Sequence, residues 1–195
     1  MSTVINLPNK NENNNLFSQV VYKKLFTPEE CQKIINFGGE LNPSPVQISK
    51  DQINLPDLSI RNSYSKYISL NSETSWALKK QINVLLDVNE KKFNFKIDSF
   101  REAQILKYEK EGFFNRHVDI GMGVLSTRKI SLILFLSDRK DYEGGQLVLD
   151  DKMSKIDQEQ GSLFLFPSYI SHEVTKITSG TRYTMVSWAH GPHFS

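Results

Sequence analysis

The stretch Phe113-Phe114-Asn115-Arg116-His117-Val118-Asp119 holds a histidine and an aspartate two positions apart. On a strand, that spacing puts an imidazole and a carboxylate on the same side of the backbone, because alternate residues share a face. A third ligand from a later, adjacent strand, here the imidazole of His172, completes a set of two histidines and one carboxylate. Such a set leaves open positions on a non-haem Fe(II) centre, where a cosubstrate and dioxygen can bind.

Taken alone, His-x-Asp is a weak signal, since pairs of this kind arise by chance in many unrelated chains. The bland alternative is a surface histidine beside a solvated aspartate. Two observations favour the stronger reading. The chain has only four histidines. His172 also follows a strand-turn segment, Phe164-Leu165-Phe166-Pro167-Ser168-Tyr169-Ile170-Ser171, that can bring it back beside the first pair. His190 and His193 have no carboxylate at comparable spacing, and they are expected as surface or end-of-strand residues.

Outward from this stretch, the pattern from about Phe93 onward predicts closely spaced strands at 99–108, 130–136, 146–149, 162–166 and 181–188. Each is short, mostly rich in β-branched or aromatic residues, and bounded by turn signals such as Asp141-Tyr142-Glu143-Gly144-Gly145 and Gln158-Glu159-Gln160-Gly161. Upstream, Val20-Val21-Tyr22 suits a first strand. Thr27-Pro28-Glu29-Glu30 then reads as a helix start, with Thr27 as cap, Pro28 at the first helical position and Glu30 completing a capping box. That helix is expected to run to about Phe37, before Gly38-Gly39. A second is expected over 72–88, with Trp76, Leu78, Ile82, Leu85 and Leu86 at roughly helical spacing. Between the two lie a proline-bearing loop at 40–59, of a length often used for lids or binding segments, and a strand-like run at 60–68. Helices first and strands afterwards predict a mainly β fold, a sandwich or jelly roll with N-terminal helices packed on it.

The bounds agree with one domain. The chain has 195 residues, 38% hydrophobic and 24% charged, enough to bury one substantial core. Residues 1–15 are polar and asparagine-rich and are expected as a flexible tail, leaving 16–195 as the single domain. With a formal net charge of +2 and no long basic block, composition offers no argument for nucleic acid or for an anionic membrane surface. Cys31 is the single cysteine and is expected to be structural. The N-terminus lacks a secretory signal and no apolar run is long enough to span a bilayer, so a reducing cytoplasmic setting is expected.

Arg182 begins the last predicted strand, ten positions after His172, with Thr184, Val186 and Trp188 on its face. A buried arginine requires an anionic partner, and a dicarboxylic cosubstrate supplies one through paired hydrogen bonds. The plain alternative is a surface salt bridge to one of the 22 acidic residues.

Together, Tyr108, Gly112, His117-Val118-Asp119, Gly144-Gly145-Gln146-Leu147, His172, Arg182 and Trp188 resemble the prolyl 4-hydroxylase-type branch of the Fe(II)- and 2-oxoglutarate-dependent dioxygenases over roughly residues 100–190. The resemblance implies a double-stranded β-helix in which His117, Asp119 and His172 hold iron. It further implies that Arg182 grips the far carboxylate of 2-oxoglutarate, that Tyr108 hydrogen-bonds the cosubstrate, and that Trp188 lines the pocket. Arg128 and the segment Ile60-Arg61-Asn62-Ser63 fall where relatives contact substrate. Ser131, Ile133 and Phe135 share one face, expected to be the inward one. Phe135 cannot donate a hydrogen bond where some relatives use tyrosine, which leaves more of the anchoring to Arg182 and Thr184.

The implied cofactors and cosubstrates are Fe(II), 2-oxoglutarate and O2, with ascorbate beside them. The implied reaction couples decarboxylation of 2-oxoglutarate to hydroxylation of a prolyl residue in a protein or peptide. Two rivals rank lower. A non-catalytic jelly-roll binding module predicts a missing ligand or anchor, and a hydrolytic zinc site leaves Arg182 without a role. A 2-oxoglutarate oxygenase acting on a non-prolyl substrate is the nearest variant.

Overall fold

The computed structural model describes residues 18–46, 55–68, 71, 73–149 and 156–193, without the side chain of Glu102. The expected tail at 1–15 and the middle of the 40–59 loop lie outside the described residues. Along the chain run β1 (Val20–Tyr22), α1 (Pro28–Ile35), β2 (Asn42–Pro43), β3 (Arg61–Asn62), β4 (Tyr64–Ile68) and α2 (Ser75–Val88). There follow β5 (Ser99–Tyr108), β6 (Phe113–His117), β7 (Arg128–Phe135), β8 (Tyr142–Gly144), β9 (Leu147–Leu149), β10 (Leu163–Pro167), β11 (His172–Val174), β12 (Ile177–Gly180) and β13 (Arg182–His190).

Seven strands form a major antiparallel sheet in the order β1-β10-β7-β13-β5-β4-β2, and four form a minor sheet in the order β3-β6-β11-β9. The expected mainly β sandwich with supporting helices is what the structure shows. The central strands β10, β7 and β13 of the major sheet are buried on both sides, and their side chains divide by the period of two. Ile130, Leu132 and Leu134 of β7, Leu163 and Leu165 of β10, and Met185 and Ala189 of β13 join the core that includes α1 and α2. Ile133, Phe135, Phe164, Phe166, Val186 and Trp188 point the other way, into a second core shared with Leu147, Leu149 and Val174 of the minor sheet. All eight residues of β7 are therefore buried.

α1 starts as its sequence dictates. The Thr27 hydroxyl accepts from the Glu30 amide at 3.2 Å, and the Glu30 carboxylate accepts from the Thr27 amide at 2.9 Å. The same carboxylate pairs with Lys80 of α2 at 2.7 Å, which ties the two helices together. The helix ends two residues earlier than expected, with Asn36 as its C-cap. Cys31 is fully buried, and that burial pushes its thiol up to about 12, so it is chemically quiet.

α2 begins at Ser75 rather than 72, and its inward stripe is Ala77, Leu78, Gln81, Val84, Leu85 and Val88. Leu86, expected on that stripe, is exposed because it follows Leu85 by about 100° around the helix. Gln81 is buried and joins helix to sheet by accepting from the Ser187 hydroxyl at 3.1 Å.

Thr27→Ala is expected to cost about 1 kcal/mol of stability. Urea unfolding should read this as an earlier midpoint, with metal affinity at the distant site unchanged.

Candidate active site

β6 and β11 pair with His117 directly opposite His172, so neighbouring strands of the minor sheet present both imidazoles to one spot. Asp119 arrives by another route than the sequence predicts. β6 ends at His117, and the amides of Asp119 and Ile120 both donate to the carbonyl of Ser168, at 2.9 and 3.2 Å. The carboxylate thus leaves the ladder and is held beside the turn after β10. It still faces the histidines, because the Ser131 hydroxyl of β7 donates to its Oδ2 at 2.6 Å.

Nε2 of His117 lies 3.7 Å from Asp119 Oδ1, and Nε2 of His172 lies 3.8 Å from Asp119 Oδ2. These separations are too long for hydrogen bonds. All three donor atoms fall within 4.8 Å of one another, a grouping that could hold a metal ion. The opposite ring nitrogens are tied back: Nδ1 of His117 to the Asn115 carbonyl at 2.8 Å, and Nδ1 of His172 to the Ile170 carbonyl at 3.0 Å. A carbonyl can only accept, so each Nδ1 carries the proton and a neutral ring turns the lone pair of Nε2 toward the site. The donor set fits Fe(II), and its chemistry also suits other divalent ions.

Burial pushes the His117 imidazole down to about 4, the neighbouring His172 adds to this, and Asp119 opposes it. Burial also works against the charge of Asp119. The two imidazoles, the Ser131 hydroxyl and the Arg128 guanidinium outweigh it and hold the carboxyl below its usual range. The His117 imidazole and the Asp119 carboxylate are thus biased toward the forms that bind a cation.

The same cavity, about 480 Å³, is lined by Tyr108, Arg182, Thr184 and Trp188, and at other positions by Arg61 and Arg128. The residues expected as metal ligands, cosubstrate contacts and substrate contacts all line it, whereas Ser131 and Phe135 do not. Arg182 pairs across the sheet with Tyr108 and is 1% exposed, so its charge is almost wholly withdrawn from solvent. No carboxylate among the described residues pairs with it. Its Nη2 donates to Gln158 Oε1 at 3.0 Å, and its Nε has no partner among the described residues. An enclosed guanidinium without a counter-ion is costly unless a ligand brings the anion. The Gly144-Gly145 turn makes room for it: both glycines have positive φ, and a Cβ on Gly145 would sit 3.0 Å from Arg182 Cδ and 2.3 Å from Ile177 Cδ1.

Arg128 lies over the Trp188 ring at 3.6 Å and donates to the Asp119 carbonyl at 3.3 Å. Arg61 lies over the Phe114 ring at 4.5 Å, and that ring stacks on His117 at 3.5 Å. His190 was expected at the surface or a strand end; it ends β13 but is fully buried, with Nδ1 2.8 Å from the Thr127 hydroxyl. His193 pairs with the exposed Ser126 hydroxyl at 2.7 Å.

Residues 103–190 match the model of the 2OG-Fe(II) oxygenase superfamily. A PKHD-type hydroxylase of Prochlorococcus marinus is 36% identical over 84 residues, which are 42% of this chain and 38% of that protein. Over these residues the chain is similar to 2OG-Fe(II) oxygenases, including hydroxylases. It spans about two-fifths of the length of the curated relatives it matches, 38% and 39% for the first two.

Among solved structures, the fold is similar to a Pseudomonas putida prolyl-4-hydroxylase, with TM-score 0.68 and 20% identity over 92% of this chain and 94% of that one. It is also similar to a Trichoplax adhaerens prolyl hydroxylase in complex with a hypoxia inducible factor peptide fragment. There the TM-score is 0.72 at 21% identity, over 91% of this chain and 84% of the other. These likenesses support the jelly-roll fold expected from the sequence. Among the described residues no helix is long and apolar enough to cross a membrane.

Sequence reasoning placed Ser131 on the inward face without seeing its bond to Asp119, and it missed Gln158 altogether. Period-two alternation gave the first a direction. The second sits in a turn with no periodic signal.

A histidine depressed to about 4 when folded and near 6.5 when unfolded binds more protons in the unfolded chain between those values. Stability of the metal-free protein should therefore fall as pH drops from about 6.5 to about 4, and His117→Gln should flatten that slope. Urea denaturation at a series of pH values measures both.

Proposed function

We propose that residues 16–195 form a single Fe(II)- and 2-oxoglutarate-dependent dioxygenase domain that hydroxylates a prolyl residue in a protein or peptide, releasing succinate and CO2. One observation carries the reading. A metal-capable set of His117, Asp119 and His172 and a buried Arg182 lacking any carboxylate partner among the described residues open into the same cavity. A metal-binding dicarboxylate satisfies both halves at once, whereas a zinc hydrolase leaves Arg182 without a purpose.

In this reading His117 and His172 hold Fe(II) through Nε2, and Asp119 supplies the anionic ligand. Bound Fe(II) supplies the redox chemistry with dioxygen that no side chain can provide. Arg182 binds the far carboxylate of 2-oxoglutarate, with Tyr108, Thr184 and Trp188 shaping the space around it. Ser131 holds Asp119 in place. Arg61, Arg128 and Trp188 orient the substrate and keep it from water, which is positioning rather than covalent chemistry. Ascorbate serves as the accessory reductant.

The prolyl assignment draws support from neighbours named prolyl hydroxylases, one of them in complex with a peptide fragment. The matching PKHD-type hydroxylases support hydroxylation more broadly.

Succinate formation from 2-oxoglutarate under air, with Fe(II) and ascorbate, tests the enzyme. His172→Ala should abolish it, and Arg182→Ala should raise the 2-oxoglutarate requirement by about 100-fold. Failure of the Fe(II)-loaded protein to bind 2-oxoglutarate would overturn the reading, and mass spectrometry of proline-containing peptides after turnover tests the substrate. Separately, Ser131→Ala should weaken metal affinity by about tenfold in a competitive chelator titration, because it frees the carboxylate it now orients.

A further inference from the structure

The partner that Arg182 does have is a neutral amide. An arginine can only donate, so Gln158 must turn its carboxamide oxygen toward Nη2. The amide nitrogen of Gln158 then needs an acceptor, and it finds Gln146 Oε1 at 3.1 Å. Gln146 is fixed in turn by its backbone: its amide donates to the Thr175 hydroxyl at 2.8 Å, and its carbonyl accepts from the Thr175 amide at 2.9 Å. The relay runs from Thr175, just after β11, through Gln146 before β9 to Arg182 on the cavity wall, and Gln158 is only 3% exposed.

The flanking residues sharpen the point. Asp157 and Glu159 are both acidic, yet both turn outward, to Lys23 at 2.9 Å and Lys24 at 3.2 Å. The residue between them faces Arg182 and is the uncharged isostere of glutamate. A carboxylate there would neutralise the guanidinium from within the protein. An amide oxygen holds the same nitrogen while leaving the positive charge for a ligand.

We propose that Gln158 is a positioning residue for 2-oxoglutarate: it orients the Arg182 guanidinium without cancelling its charge, and Gln146 and Thr175 lock the amide in that sense. The proposal rests on the reading that Arg182 receives a carboxylate of 2-oxoglutarate.

The test is calorimetric binding of 2-oxoglutarate to the Fe(II)-loaded protein under nitrogen, for native protein, Gln158→Glu, Gln158→Met, Arg182→Ala and the double variant Gln158→Glu/Arg182→Ala. Metal affinity is titrated in each as the control for folding. Gln158→Glu should weaken 2-oxoglutarate by about 30-fold or more, and Gln158→Met by only about three- to tenfold, with metal affinity unchanged in both. Adding Gln158→Glu to Arg182→Ala should cause no further loss, because the residue acts through the arginine.

Native-like affinity in Gln158→Glu, or an undiminished loss in the double variant, would overturn the proposal. If Arg182→Ala itself binds 2-oxoglutarate like the native protein, the underlying assignment of Arg182 fails instead, and the proposal fails with it. Should Gln158→Glu lose metal affinity, Gln158→Met and its combination with Arg182→Ala decide the outcome by the same criteria.

Discussion

Burial of the central strands of the major sheet on both faces is the constraint on which the remaining features depend. Once helices cover one face and the minor sheet the other, every residue of β7 and β13 must be assigned to one of two interiors by its parity alone. Met185 and Ala189 go to the helix side, while Arg182, Thr184, Val186 and Trp188 go to the cavity side. A slip of one residue in β13 would turn Arg182 to the helix-side face of the sheet, away from the cavity. The register of the sheet and the chemistry of the cavity are thus one decision.

The strands were legible because their alternation is strong and their ends carry glycine turns. β5 spans the residues expected for it, and β7, β9, β10 and β13 differ from expectation by one or two residues at their ends. The helices were legible through their starts, above all the capping box at Thr27 and Glu30. Less visible was the division within α2: Leu78 and Leu86 are equally apolar, and only tertiary packing decides which of them meets the core.

At the site, the residue types were readable and their routes were not. His117 and Asp119 looked like neighbours on one strand face, yet the chain leaves β6 between them, and a carbonyl from the turn after β10 and a hydroxyl from β7 place the carboxylate. Local periodicity carries no information about such long-range partners. Gln158 shows the same limit more strongly. Its turn holds two acidic residues and two glutamines, and nothing in the order of letters tells which side chain turns inward.

His117 is held on several sides: Phe114 stacks on its face, His172 packs at 4.2 Å, and its Nδ1 is tied to the Asn115 carbonyl. Arg61 lies over the same Phe114 ring. An imidazole clamped in this way has little rotational freedom left to lose when an ion arrives. The ordering that metal binding usually demands has been moved into the folding of the polypeptide, so selectivity among divalent ions falls to coordination preference rather than to the ability of the pocket to adapt.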